Sequence, residues 1–187
     1  MYKYRDLMPF TTKSGIAVSD HMNHIRFTLP LLADGRAGKD WIPRLKGRDV
    51  SIDDEAKYML RSPNFKPTKG VSIDVAILKG RYLVDNNQII KNVHAEAKKC
   101  KWSKPNADLV CLILENFTEE EIEVMDLRDI VAMHEPFNDS DDDPPLLSTF
   151  VFYRDGRWLH AYRSRPHIGW HFERGFAFVV SQSGSQS

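Results

Sequence analysis

The apolar residues of this chain fall into short runs separated by turn-forming residues, and this sets the size of the elements it can form. The longest run, residues 109–114, is the length of a buried strand. A bilayer-spanning helix needs about 20 consecutive apolar residues, so we expect no membrane span. At 187 residues, with 42% apolar and 28% charged side chains, the chain has the composition of one folded domain.

Periodicity and capping residues predict an α+β fold. The predicted helices cover residues 19–25, 51–61 with Ser51 as cap, 94–101, and 118–126 with a Thr118–Glu121 capping box. The predicted strands cover residues 71–78, 82–84, 109–114, 130–133, 150–153, 157–162 and 176–181. Residues 34–39 and the acidic 138–145 are predicted loops, and 183–187 a flexible tail.

Charge is unevenly distributed although the net charge is zero. Residues 1–114 carry 20 basic and 12 acidic side chains, residues 115–143 carry 1 and 12, and residues 144–187 carry 5 and 2. The basic residues are scattered rather than clustered in a stripe, so we do not expect nucleic acid as a ligand. A basic scaffold beside an acidic segment is the simpler interpretation.

Several short motifs resemble sites of chemistry but lack features that such sites need. Gly38-Lys39 is followed by Asp40, which would repel the phosphate that a P-loop binds. His94-Ala95-Glu96 matches the His-x-Glu of zinc deaminases, but the Pro-Cys-x-x-Cys that supplies further ligands is missing. The carboxylates of 139–143 could attract Ca²⁺, although a solvated loop is the commoner case. We therefore expect no cofactor, and two reduced thiols: Cys111 buried in a strand and Cys100 half-exposed.

One catalytic pattern stays open as an alternative. Asp74 in a predicted strand, followed by Glu96 and Lys98, matches the D…ExK arrangement of metal-dependent nucleases of the PD-(D/E)xK type. In such a site the carboxylates bind the cation and the lysine polarises the attacking water. Glu96, however, lies in a stretch whose composition favours a helix. The pattern is loose and occurs often by chance.

The C-terminal segment is unusually rich in aromatic, His and Arg side chains, the types that dominate binding hot spots. Trp158, Trp170, Phe176 and Phe178 are assigned to the core. The predicted ligand-binding residues are Phe150, Phe152, Tyr153, His160, Tyr162, Arg163, Ser164, Arg165, His167, Ile168, His171 and Phe172. We expect residues 163–174 and the preceding strand to form the binding face.

The spacing of Gly156-Arg157-Trp158, Ala161-Tyr162, Pro166, Trp170 and 175–180 resembles the variable region of diversity-generating retroelement target proteins. Residues 129–182 are also similar to variable-protein tails of small-genome bacteria and archaea and their viruses. The resemblance implies a C-type lectin fold, shared with formylglycine-generating enzymes, with two or three short helices and small antiparallel sheets. Residues 1–128 would then be the N-terminal part of the scaffold, and 129–182 the part that carries the binding region.

The resemblance also implies how the surface would vary. In that family an error-prone reverse transcriptase rewrites adenines, mostly in Asn codons, which suits positions 160, 162–165, 167–169, 171 and 172. Glu173 cannot arise from an Asn codon and departs from the pattern. The implied function is non-enzymatic binding of a macromolecule, for which we expect a protein, by a monomer or small oligomer. No signal peptide is recognised, so a cytoplasmic or virion-associated location is expected.

Overall fold

The computed structural model describes residues 9–29, 35–70, 72–83, 89–137, 146–153, 156–163 and 173–180; for 89 and 146–153 it describes the backbone alone. The strands are β1 (Phe10–Thr11), β2 (Ala17–His21), β3 (His24–Leu29), β4 (Val50–Ile52), β5 (Ile73–Lys79), β6 (Trp102–Ser103), β7 (Asp129–Ala132), β8 (Leu146–Tyr153), β9 (Gly156–Arg163) and β10 (Arg174–Val180). The helices are α1 (Gly38–Lys46), α2 (Asp54–Arg61), α3 (Ile89–Lys99), α4 (Leu109–Asn116) and α5 (Glu119–Val124), with a 3-10 turn at Gly80–Tyr82.

The ten strands of the described residues form one sheet, in the order β1-β2-β3-β5-β10-β7-β8-β9-β4, and β6 pairs with the end of β10. Within this set, β10 runs parallel to β7 and β4 runs parallel to β9, while the other pairs are antiparallel. The C-terminal strand β10 therefore lies inside the sheet, hydrogen-bonded on both sides.

Helices cover the two faces of the sheet unequally. The larger core takes apolar side chains from α1, α2, α4 and α5. The smaller core contains Val93 and Ala97 of α3, packed against Leu78, Phe176 and Phe178. Strand β5 contributes side chains to both cores, because successive side chains of a strand point to opposite faces. Ile77 belongs to the larger core and Leu78 to the smaller one.

Capping side chains account for where helices α2 and α5 begin. Asp53 caps α2 by accepting a 2.6 Å hydrogen bond from the Ala56 N–H. The helix begins later than predicted because Val50–Ile52 pairs with β9 instead. The Thr118–Glu121 capping box is confirmed, and it opens α5.

Four predictions about elements were wrong. Residues 109–114 belong to helix α4, where all six side chains are buried. Residues 19–25 form the β2–β3 hairpin, in which His21 pairs with His24. Helix α1 begins at Gly38, within the predicted loop. A Cβ at this position would lie 2.0 Å from the Leu60 carbonyl oxygen, so only glycine allows α1 to approach α2 this closely. Tyr82, predicted to begin a strand, is the last residue of the 3-10 turn Gly80–Tyr82.

The α+β class is confirmed, and so are the strands predicted around 71–78, 130–133, 150–153, 157–162 and 176–181. Helix α3 starts earlier than predicted. The described residues contain five helices on one sheet, rather than two or three helices with small antiparallel sheets. None of the described helices is both long and apolar enough to cross a bilayer. The predicted loop 138–145 and tail 183–187 lie outside the described residues.

The two cysteines are free thiols. Cys111 is buried as predicted, but in helix α4, and burial raises the pKa of its thiol well above the usual value. Cys100 is exposed rather than half-exposed.

Candidate functional site

The predicted binding residues divide between two strands and a segment outside the described residues. His160, Tyr162 and Arg163 lie on β9. The backbones of Phe150, Phe152 and Tyr153 lie on β8, which pairs with β9 in antiparallel register. The remaining predicted residues, Ser164, Arg165, His167, Ile168, His171 and Phe172, and also Trp170, lie outside the described residues.

Strand β9 separates core residues from a second row by simple alternation. Leu159 and Ala161 point into the larger core. Trp158, His160 and Tyr162 therefore lie on the opposite face, and we call these three residues the outer row of β9. Trp158 and His160 stack with ring centroids 5.4 Å apart and an interplanar angle of 9°. Tyr162 is 38% exposed.

His160 connects the outer row to the start of helix α2. Its Nδ1 lies 2.5 Å from Oδ2 of Asp53. The other carboxylate oxygen of Asp53 is the one that caps α2. The same carboxylate thus orients a helix and an imidazole 107 residues away in sequence.

Arg163 is the last residue of β9, and its side chain makes a long ion pair with helix α2. Its Nε lies 3.8 Å from Oε1 of Glu55, and the two side chains are 27% and 53% exposed. An ion pair this open to solvent contributes little to stability.

Arg174, at the start of β10, is part of the protein interior. Its Nε donates a 2.6 Å hydrogen bond to Oδ1 of Asp129, and the two side chains are 10% and 4% exposed. Its guanidinium carbon lies 5.4 Å from the centroid of the Tyr162 ring, within cation–π distance. The expectation that the binding face extends through Arg174 is therefore wrong, because this residue is a buried ion-pair partner.

The residues after Arg174 are so closely packed that a larger side chain would clash with its neighbours. A Cβ on Gly175 would lie 2.6 Å from Cγ2 of Ile77 and 3.0 Å from Cδ1 of Leu127. Phe176 and Phe178 are fully buried, which confirms their assignment to the core. We call Arg174, Gly175, Phe176 and Phe178 the β10 frame. Trp158, also assigned to the core, is only partly buried.

The residues of the nuclease alternative have other contacts. Oδ1 of Asp74 accepts a 2.6 Å hydrogen bond from the Thr28 hydroxyl. Glu96 and Lys98 lie on helix α3, where Glu96 pairs with Lys99 at 2.9 Å. Among the described residues, no three or more His, Cys, Asp or Glu side chains are grouped so that they could hold a metal ion. None of these contacts favours a nuclease.

Two histidines near the smaller core are held in the neutral form. Burial lowers the pKa of His134 to about 4, although the Glu135 carbonyl oxygen lies 2.7 Å from its Nδ1. Burial also lowers the pKa of His94, whose ring meets Phe178 edge-on. Both imidazoles are therefore packing groups near neutral pH.

Sequence reasoning missed the contacts that fix the ends of the candidate surface. The sequence predicts Ser51 rather than Asp53 as the cap of α2, and it places Arg174 on the binding face. Neither residue carries a local signal for its partner, because each pair forms only when strands distant in sequence become neighbours. Comparison with protein-family models, with curated proteins and with solved structures finds no match for this chain.

Proposed function

We propose that this chain is a ligand-binding variable protein, diversified by a retroelement, in which strand β9 and residues 164–172 present a changeable surface. The observation that carries the proposal is the contrast between the outer row of β9 and the β10 frame. In the outer row, Tyr162 is substantially exposed, whereas Phe176 and Phe178 of the frame are fully buried. Substitution would thus be tolerated on one side of residues 164–172 and excluded on the other.

The position of β10 supports this division. Strand β10 is hydrogen-bonded to β5 on one side and to β7 on the other. Its backbone is therefore held independently of the side chains on β9. A rigid backbone next to an exposed row allows side chains to change without unfolding the domain.

The contact between His160 and Asp53 sets the cost of changing the side chain at position 160. This contact is partly open to solvent, with side chains 22% and 21% exposed. Loss of a hydrogen bond to a charged group costs about 1.5–3 kcal/mol, which is less than the roughly 5–15 kcal/mol by which a folded domain is stable. Asp53 would still cap α2 through its other oxygen.

The C-type lectin fold is part of the proposal and is supported by where the sequence pattern falls. The Gly-x-Trp of the pattern opens β9, and its Gly-Phe lies at the start of β10. Both elements thus bound residues 164–172 as the resemblance implies. We propose a protein ligand, and Arg163 together with the predicted Arg165 would favour acidic or aromatic patches on it.

Two displayed libraries test the proposal. One randomises His160, Tyr162 and Arg163, and the matched control library randomises Gly175, Phe176 and Phe178. Resistance to protease on the display particle reports folding. We expect most members of the first library and few of the second to stay folded, because only the second disturbs the core.

Binding is then selected from a library in which residues 164–172 are randomised as well. The proposal predicts that unrelated protein targets each select a different set of side chains on the same surface. Equal loss of folding in the two small libraries would contradict it, and so would failure to select any binder from the large one.

A further inference from the structure

Two histidines face each other where the β2–β3 hairpin turns. His21 is the last residue of β2 and His24 the first of β3, and the two are directly paired in the antiparallel register. Val18 and Phe27, paired further along the same strands, belong to the larger core. Because successive side chains of a strand alternate between faces, both imidazoles project from the opposite face of the hairpin. Their rings are stacked, with centroids 4.7 Å apart and an interplanar angle of 14°.

The hydrogen bonding of His24 fixes which of its ring nitrogens can bind a ligand. The side-chain oxygen of Asn23 lies 2.8 Å from Nδ1 of His24 and can only accept, so Nδ1 carries the proton. Burial, and then the charges of His21 and Arg26, lower the pKa of His24 to about 4. The ring is therefore neutral near pH 7, and its lone pair is on Nε2.

His21 is held in the complementary tautomer. The Ser19 hydroxyl donates to the Arg26 carbonyl oxygen at 3.3 Å, so the Ser19 oxygen is the acceptor in its 3.4 Å contact with Nε2 of His21. When the His21 ring is neutral, its lone pair is therefore on Nδ1. Each ring thus offers one nitrogen and is oriented through the other, which is the arrangement of metal-binding histidines.

The two rings are close enough to share an ion. A bond from an imidazole nitrogen to a metal such as Zn²⁺ is about 2.0–2.1 Å long, so two ligating nitrogens lie at most about 4 Å apart. The ring centroids are already within 4.7 Å, and His21 is exposed, so its ring can turn towards the ion. His24 is more restricted, because the Trp102 ring meets it edge-on at 5.0 Å and in turn contacts Phe178 of the smaller core. One ligand is therefore fixed by the scaffold and the other is adjustable.

We propose that His21 and His24 bind a divalent transition-metal ion, Cu²⁺ most tightly, through Nδ1 of His21 and Nε2 of His24. Imidazole nitrogens suit Cu²⁺, Ni²⁺ and Zn²⁺, and the affinity of such ligands is highest for Cu²⁺. Water completes the coordination shell, since among the described residues no third His, Cys, Asp or Glu is grouped with the pair. Six strand spacings of roughly 4.8 Å separate β2 from β9, so the site lies about 29 Å along the sheet from the proposed variable surface.

Two basic side chains, Arg26 and Lys79, act on His24 electrostatically. Lys79 is neutralised by Asp20, because the two form a 2.6 Å ion pair with side chains 6% and 18% exposed. Arg26 lies two residues after His24 on the same face of β3, and its charge opposes a bound cation. Solvent limits this effect to about fivefold in Kd. Arg26→Gln should therefore tighten the binding of Cu²⁺ by up to that factor.

The test adds Cu²⁺ to the full chain near neutral pH. Pulsed EPR counts the coordinated imidazoles, and we expect two at one equivalent of Cu²⁺, with a Kd of about 10 µM or tighter by calorimetry. In ¹H–¹⁵N spectra the paramagnetic ion should broaden the indole N–H signal of Trp102 and leave that of Trp158 on β9 sharp. Zn²⁺ should bind at least tenfold more weakly than Cu²⁺.

Substitutions assign the ligands. His21→Gln and His24→Gln should each weaken Cu²⁺ binding at least tenfold and leave one coordinated imidazole. Met22→Leu, in the same turn and 83% exposed, is the matched control and should bind Cu²⁺ as the unaltered protein does. His167→Gln/His171→Gln should also bind normally; these two histidines are four apart in sequence and are the competing source of imidazoles.

Four results would overturn the proposal. They are fewer than two coordinated imidazoles in the unaltered protein, broadening of Trp158 rather than Trp102, unchanged affinity in both His21→Gln and His24→Gln, and loss of the site in His167→Gln/His171→Gln. The first two need no variant, so they decide the question even if a substitution prevents folding.

Discussion

Replacing Arg174 by Gln should destabilise the protein far more than the same replacement at Arg163. Arg174 and Asp129 are 10% and 4% exposed and joined at 2.6 Å, so the substitution takes the guanidinium away from a buried carboxylate. Breaking a buried pair in this way costs about 3–5 kcal/mol. For a domain of this size, each kcal/mol lowers Tm by about 2–4 °C. We therefore expect Arg174→Gln to lower Tm by roughly 10 °C.

Arg163→Gln is the matched control, because its contact with Glu55 is 3.8 Å long and open to solvent. It should cost about 1 kcal/mol at most. Urea unfolding followed by circular dichroism measures both variants, and an unchanged m value shows that the midpoint reports stability. The double variant Asp129→Asn/Arg174→Gln should lose less than the sum of the two single changes. Equal losses for Arg163→Gln and Arg174→Gln would refute the division between exposed surface and β10 frame.

Three further predictions concern the scaffold. Gly175→Ala should cost about 1–3 kcal/mol, because two buried side chains must move, whereas Gly47→Ala, where the nearest atom is 3.4 Å away, should be close to neutral in the same urea assay. Thr118→Ala should cost about 1 kcal/mol and Thr118→Ser much less, since only Ala removes the capping oxygen. His134 has a folded pKa of about 4 and an unfolded pKa near 6.5, so its stability contribution is complete above pH 6.5 and is lost as pH falls towards 4. This loss reaches roughly 3 kcal/mol, and His134→Gln should flatten the stability profile in that window; an unchanged profile would contradict the assignment.

Elements with a local signal could be predicted from the sequence. The Thr118–Glu121 capping box predicts α5 because both of its hydrogen bonds lie within four residues. The alternation of β9 predicts which side chains face the core, since strand geometry fixes that period. Phe176 and Phe178 could be assigned to the core for the same reason.

Elements that depend on distant partners could not be predicted. A run of six apolar residues fits a buried strand or a buried helix equally well. In the structure this run is part of helix α4, and its six side chains are buried in the larger core. The sequence predicts that a helix begins at Ser51, but Val50–Ile52 forms strand β4 because it pairs with β9. The place of β10 between β5 and β7 is likewise a property of the whole sheet.

The same limit applies to the candidate site. The accumulation of aromatic, Arg and His residues pointed to β9, and the structure places His160, Tyr162 and Arg163 there, each at least partly exposed. The buried state of Arg174 depends on Asp129, 45 residues away, and no pattern around either residue predicts it.

Sequencing the genomic DNA around the gene tests the central claim most directly. The proposal of a retroelement-diversified surface predicts a near-copy of the codons for roughly residues 147–182 nearby, differing at adenines, next to a reverse-transcriptase gene. The differences should fall in codons for residues 160–172 and spare those of the β10 frame. A locus with no such copy and no reverse transcriptase, or with differences spread evenly over the frame codons, would contradict the proposal.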